Sequence, residues 1–99
     1  MRAPSAPKIK KRSHDALAKG RDYFRSGDLG RANATFAHAY QMRCVSDWLW
    51  TNALGRKGDK GHADYAVLSR EFGKLAAGKK PLTAQETQQV EKWIAKIKD

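Results

Sequence analysis

Two arginines that stand one helical turn apart, Arg21 and Arg25, are the first candidates for chemistry in this sequence. Residues four apart share a helix face, and two guanidinium groups so placed can grip a carboxylate or a phosphate with forked donors. The alternative is a solvated face on which each arginine lies near an acid, Asp22 or Asp28. The spacing therefore predicts a binding role, with this plain surface as an equal alternative.

No constellation in the sequence predicts catalysis or a metal site. The three histidines, His14, His38 and His62, are widely separated, and none belongs to a spaced set with acids or cysteine. Carboxylates such as Asp59 and Asp64 could act as general bases, but nothing marks a nucleophile or a partner acid. We therefore expect a protein that is not an enzyme and that carries no cofactor and no metal.

The basic residues are concentrated in a few segments. Twenty Lys and Arg against ten Asp and Glu give a net charge of +10, which favours anionic partners. Residues 1–12 are basic and lack acids, and the loop "GRKGDKGH" at 55–62 is basic and glycine-rich. This loop is no P-loop, because it contains no Gly-Lys followed by Ser or Thr and follows no strand. It therefore predicts nonspecific phosphate contact, with a solvated linker as the alternative. The predicted nucleic-acid contacts are Arg2, Lys8, Lys10, Lys11, Arg12, Arg56, Lys57, Lys60, Lys79 and Lys80.

A tryptophan pair, Trp48 and Trp50, is the second candidate for partner binding. Residues two apart on a helix point about 200° apart, so both rings cannot enter one core. An exposed ring beside a basic loop could stack on a base or on a partner's apolar side chain. The alternative is that both are core residues that meet different neighbours.

The apolar spacing predicts an all-α fold, a small bundle of four to five helices behind an extended basic arm. Pro4 and Pro7 favour an extended, disordered segment over residues 1–12, and residues 13–99 form one helical domain. The predicted elements are a hairpin over 13–46, a short helix that starts at Ser46-Asp47, the loop 55–62, and helices over 63–77 and 84–98. The alternative to the short helix is a continuation of the second helix of the hairpin. Thr83 and Glu86 have capping-box spacing at the start of the last helix.

The hairpin over 13–46 resembles a tetratricopeptide repeat, a helix-turn-helix unit of thirty-four residues. The residues at the family's spacings are Gly20, Tyr23, Ala32, Phe36 and Ala39. The family's Trp, Leu and Pro positions hold Ala16, Lys19 and Cys44 instead. The resemblance implies that Gly20 and Ala32 let the two backbones approach closely and that the first helix lines a groove for an extended peptide. It would then assign partner binding to Arg21 and Arg25.

The single cysteine, Cys44, forms no intramolecular disulfide and favours a reducing compartment. The first residues lack the apolar core of a secretory signal, and no run is long enough to cross a bilayer. We therefore expect a cytoplasmic protein that has no membrane contact.

Two functions follow from these observations. In the first, the protein binds nucleic acid or a ribonucleoprotein through phosphate contacts, RNA and DNA being equally expected, with little sequence specificity. In the second, it is a protein–protein adaptor or inhibitor whose repeat-like groove or tryptophan pair docks an acidic partner, itself a component of a nucleic-acid machine. The segregation of charge favours the first function, and the hairpin favours the second.

Overall fold

The computed structural model describes residues 6–53, 62–78 and 81–97, and over those residues the chain is all-helical. Four helices follow one another: α1 spans Ala6–Arg25, α2 Leu29–Ala53, α3 His62–Ala76 and α4 Ala84–Lys96. No strand occurs in these three segments. The prediction of an all-α bundle is therefore confirmed in its coarse form. The predicted bounds of the last two helices, 63–77 and 84–98, agree with α3 and α4 to within two residues.

The N-terminal segment differs from its prediction. An extended segment was expected over residues 1–12, but α1 already begins at Ala6, so residues 6–12 are helical. Pro7 lies in the first turn, where its missing N–H would have no partner in any case. Ser13, where the predicted hairpin begins, is accordingly not at a helix start. It is buried in the middle of the helix, where its hydroxyl donates to the carbonyl of Ala39 at 2.9 Å.

α2 also departs from the prediction, because it continues through Ser46 and Asp47 without a break. Both residues are good capping residues by type, which is why a new helix was expected there. In the structure both are buried, and Asp47 makes ion pairs inside the bundle. The capping types at this point serve tertiary contacts, so the separate third helix does not exist.

The turn between α1 and α2 is explained by its own residues, chiefly Gly27 and Asp28. Gly27 adopts a φ of 86°, a conformation that glycine takes at little cost. The amide of Asp28 donates to the carbonyl of Tyr23, and that of Gly27 to Phe24, which is the Schellman pattern of a helix end. Asp28 then caps α2, since its carboxylate accepts from the amide of Arg31 at 3.1 Å. One short turn thus closes α1 and opens α2.

The core lies where α1, α2 and α3 cross. Phe72 of α3 makes edge-to-face contacts with Phe24 at 5.7 Å and Phe36 at 5.0 Å between ring centroids. Gly20 of α1 faces the Phe36 ring so closely that a Cβ atom would lie 2.6 Å from it. The small residues Ala32 and Ala39 of α2 are fully buried. Gly20 therefore leaves the space that the Phe36 ring of α2 occupies.

α4 closes the bundle on the side of α1 and α3. Its N-terminus has the predicted capping box, with Thr83 and Glu86 bonded reciprocally. Val90, Ile94 and Ile97 are buried. On the α1 side, Glu91 accepts two hydrogen bonds from Arg25, each 2.9 Å long. Packing and this bidentate ion pair together hold α4 in place.

Candidate nucleic-acid interface

The N-terminal half of α1 carries a group of exposed cations. Lys8, Lys11 and Arg12 are exposed, and their spacing of three and four places them on one side of the helix. We call these three residues the basic stripe. The first acidic residue of the chain is Asp15, so the stripe precedes every carboxylate. Lys10, also predicted as a phosphate contact, is half-buried and lies about 100° or more from each stripe residue around the helix.

An exposed apolar patch lies on the neighbouring helix α2. Val45 is 48% exposed and Trp48 is 61% exposed, and the two stand one turn apart. A surface depression of about 280 Å³ is lined by Ile9 and Arg12 from α1 and by Val45 from α2, among others. The basic stripe and the apolar patch, which we define as Val45 and Trp48, therefore adjoin across the seam between the two helices.

A buried polar cluster under this surface fixes the end of α2 against the start of α3. Arg43 is fully buried, and its Nε lies 3.4 Å from Oδ1 of Asp47. The other carboxylate oxygen, Oδ2, lies 2.6 Å from Nδ1 of His62, the first residue of α3. The Arg43 guanidinium also lies 5.9 Å from the ring centre of Tyr65. This cluster holds the α2 backbone that presents Val45 and Trp48.

The sequence interpretation missed this cluster and also missed Val45. Arg43 and Asp47 have the i, i+4 spacing of a helical ion pair, and that signal was available. It was obscured because Asp47 also suits a helix N-cap. Nothing in the types or spacing distinguishes Val45 from a core residue, since apolar residues lie on all sides of α2.

Arg21 and Arg25 each lie beside a carboxylate. Arg25 is engaged by Glu91 of α4, and this hydrogen-bonded pair raises the pKa of Arg25 and lowers that of Glu91. Arg21 lies 3.7 Å from Asp22. On the outward face of α1 the two arginines line a depression of about 270 Å³, together with His14 and with residues of α4 such as Ile94. Partner binding by these two arginines stays a prediction.

Several predicted site residues lie outside the part of the chain that the structure describes. These are Arg2, Arg56, Lys57, Lys60, Lys79 and Lys80 and, as regards its side chain, Trp50. The ends of the helices that flank these residues do lie within the described segments. His62 contacts Asp47, so α2 ends and α3 begins at the same end of the bundle as the apolar patch. Lys79 and Lys80 stand between α3 and α4, whose joining ends lie at the opposite end, near the turn at Gly27.

Other features of the described residues offer less to a ligand. No cluster of three or more His, Cys, Asp or Glu that could hold a metal is found among them. Cys44 is half-buried, and a hydrogen bond between Tyr40 and Cys44 is the main cause of a raised pKa for the tyrosine. A groove of about 860 Å³ between the Gly27 turn and the start of α4 is lined mostly by apolar residues, including Phe24, Leu29 and Leu82.

Comparison with known proteins adds no identification. No protein-family model, no curated protein and no solved structure matches the chain. Over the described segments, no helix combines the length and apolar character needed to cross a bilayer.

Proposed function

We propose that this protein is a non-enzymatic module that binds nucleic acid, or the nucleic acid of a ribonucleoprotein, mainly through phosphate contacts. The observation that carries the proposal is the basic stripe. Lys8, Lys11 and Arg12 are exposed on one side of a helix that is packed into the bundle. Cations on a fixed helix form a charged row whose spacing is set by the helix, and phosphates are the polymeric anions that match it.

The position of the stripe supports the proposal in a second way. A helix N-terminus carries about half a positive charge, so cations in the first turns lower helix stability and acids raise it. The first turn of α1 contains no acid, and Lys8, Lys10 and Lys11 follow directly. This arrangement is unfavourable for the isolated helix and favourable when an anion is bound there. Residues that lower the stability of their own helix in this way are typical of a binding surface.

Affinity for nucleic acid across salt concentration tests the proposal. With five or more phosphate contacts, a plot of log K against log salt for duplex DNA should have a slope of about −4 or steeper. Fluorescence anisotropy of a labelled duplex and a labelled RNA of equal length gives the two slopes. A slope near zero, or no binding to either polymer at low salt, would refute the proposal.

A charge-matched pair of variants separates local contacts from net charge. Neutralising the stripe with Lys8→Gln, Lys11→Gln and Arg12→Gln should make the duplex slope less negative by about 2.7, from three lost phosphate contacts. The control removes the same charge from exposed lysines of α3 and α4, by Lys74→Gln, Lys92→Gln and Lys96→Gln, and should leave the slope close to that of the wild type. Equal effects of the two triple variants would mean that net charge alone accounts for binding.

The second candidate function is docking of an acidic protein, and the exposure of Val45 and Trp48 favours it. The resemblance of the hairpin to a tetratricopeptide repeat supports the same candidate. A pull-down with and without nuclease treatment distinguishes the two functions. A stoichiometric protein partner that survives nuclease supports docking, whereas partners that disappear with the nucleic acid support the main proposal.

A further inference from the structure

We infer that the bound nucleic acid is single-stranded and that an unpaired base stacks on Trp48. The inference rests on the proposed function and names the state of its ligand. Its starting point is the contrast between Trp48 and the other aromatic rings. Among the described residues Phe24, Phe36, Phe72 and Tyr65 are buried and Tyr23, Tyr40 and Trp93 are half-buried, while Trp48 is 61% exposed. One large ring is thus presented to solvent by a bundle that buries four others.

The position of Trp48 relative to the basic stripe gives the ring a specific use. Arg12 and Val45 line the same depression, and Trp48 stands one turn beyond Val45 on α2. A strand that crosses the seam from α1 to α2 meets cations first and then an aromatic face. Cations along the backbone path followed by an aromatic platform are the two components of single-strand binding sites.

A duplex cannot use this combination fully. The faces of its bases are stacked on one another, so a protein ring reaches them only after a base is unstacked at a cost of a few kcal/mol. The basic stripe serves duplex and single strand alike, but only an unpaired base offers a free π-face to Trp48. The exposed ring therefore indicates a preference for the single strand.

The size and surroundings of the apolar patch also argue against a protein as its occupant. Val45 and Trp48 together expose a few hundred Å² at most, against roughly 800 Å² per partner in a stable protein interface. Arg12 of the basic stripe lines the same depression as Val45. A small aromatic surface beside cations complements a nucleotide, which has one base face and one phosphate.

The patch is also held rigidly enough to act as a platform. Asp47 is the residue before Trp48, and its carboxylate contacts both Arg43 and His62 from within the bundle. Ser46, two residues before Trp48, is fully buried. The backbone under the ring is therefore fixed before a ligand arrives, which reduces the entropy that binding must remove.

The test compares two variants at position 48 on single-stranded and duplex ligands of equal length. Trp48→Ala should weaken binding to single-stranded RNA or DNA by about 5-fold to 100-fold, the usual effect of removing one stacking ring. Trp48→Phe keeps a π-face and should retain most of the affinity. Neither variant should change duplex affinity or the salt slope, because no charge is lost. Val45→Ala, which removes the adjacent apolar side chain but no ring, is the matched control and should bind like the wild type.

Each outcome bears on the inference. The inference is supported if the wild type binds single-stranded RNA or single-stranded DNA more tightly than duplex, and if this preference is lost in Trp48→Ala and kept in Trp48→Phe. The single strand that binds more tightly identifies the polymer. Three results would overturn the inference while the proposed function stands. Trp48→Ala could bind the single strand as tightly as the wild type does, Trp48→Ala could lose as much affinity for duplex as for single strand, or the wild type could bind duplex more tightly than single strand. If the wild type binds no nucleic acid at low salt, both fail. Circular dichroism of each variant excludes unfolding as the cause of a loss, and Trp48→Phe tests the ring in a variant of similar shape.

Discussion

Gly20→Ala offers the sharpest test of the helix crossing at the centre of this fold. The added Cβ would lie 2.6 Å from Cδ1 and 2.7 Å from Cε1 of Phe36. The Phe36 ring is only 1% exposed and stands edge-to-face against Phe72, so it cannot swing away into solvent. Relief must come from separating α1 and α2 or from an unfavourable rotamer.

The expected loss of stability can be estimated from two opposing terms. Overpacking of a filled core costs about 1–3 kcal/mol, while replacing a mid-helix glycine by alanine returns roughly 0.5–1 kcal/mol. The net loss for Gly20→Ala is therefore about 1–2 kcal/mol. In a domain of this size that lowers the Tm by roughly 5–15 °C. Thermal and urea unfolding, followed by the helical ellipticity in far-ultraviolet circular dichroism, measures both quantities.

Gly30→Ala is the matched control, because it is also a helical glycine but has no atom within 4 Å of its added Cβ. It should raise stability by about 0.4–1 kcal/mol through the unfolded state. The opposite signs of the two substitutions are the prediction. If Gly20→Ala is as stable as the wild type, α1 and α2 do not approach at Gly20 as described. Adding Phe36→Leu to Gly20→Ala should restore part of the loss, seen as a favourable coupling in a double-mutant cycle.

Three further predictions concern the turn, the α1–α4 ion pair and the buried cluster. Gly27→Ala should cost about 1–2 kcal/mol because of the positive φ, even though its Cβ meets nothing, and urea unfolding should show this loss with an unchanged m-value. Because Arg25 lowers the pKa of Glu91 from its ordinary 4.5, the pair stabilises the fold above that value and is lost as pH falls through the lower folded pKa. As the pH falls below 5, the free energy of unfolding of the wild type should decrease by up to about 1 kcal/mol more than that of Glu91→Gln. The same pH dependence of the urea midpoint in both proteins would contradict this. Asp47→Ala should cost about 3 kcal/mol by leaving the buried Arg43 without that carboxylate, and combining it with Arg43→Met should recover much of the loss.

The elements that local rules dictate were predictable from the sequence. The capping box at Thr83 is a contact between neighbours in the chain, and so is the helix end at Gly27, so their signals are complete within a few residues. The helical class follows from apolar spacing alone. A special position for Gly20 was implied by the resemblance to a tetratricopeptide repeat, and in the structure the Phe36 ring lies against this glycine.

The errors share a physical cause, which is that tertiary contacts decide between equivalent local signals. Asp47 suits an N-cap as well as a buried ion pair, and only the position of His62 on another helix decides between them. Arg25 was paired with nearby acids in sequence, whereas its partner Glu91 is 66 residues away. Pro7 was taken as a helix breaker, although a proline in the first turn is tolerated. Which face of α2 stays exposed could not be predicted, because apolar residues surround that helix.

The buried polar layer at one end of the bundle has a consequence for how α2 is oriented. A helix with apolar residues on all sides can bury any of several faces, and it can slide along its neighbours with little penalty. Three contacts remove that freedom, because each joins α2 to another helix and would be lost if α2 rotated or shifted by one turn. They are Ser13 with Ala39, Asp47 with His62, and Arg43 with Tyr65. A single polar layer of this kind is the means by which coiled coils fix their register. Here it selects one rotation and one register for α2, and so determines that Trp48 faces outward.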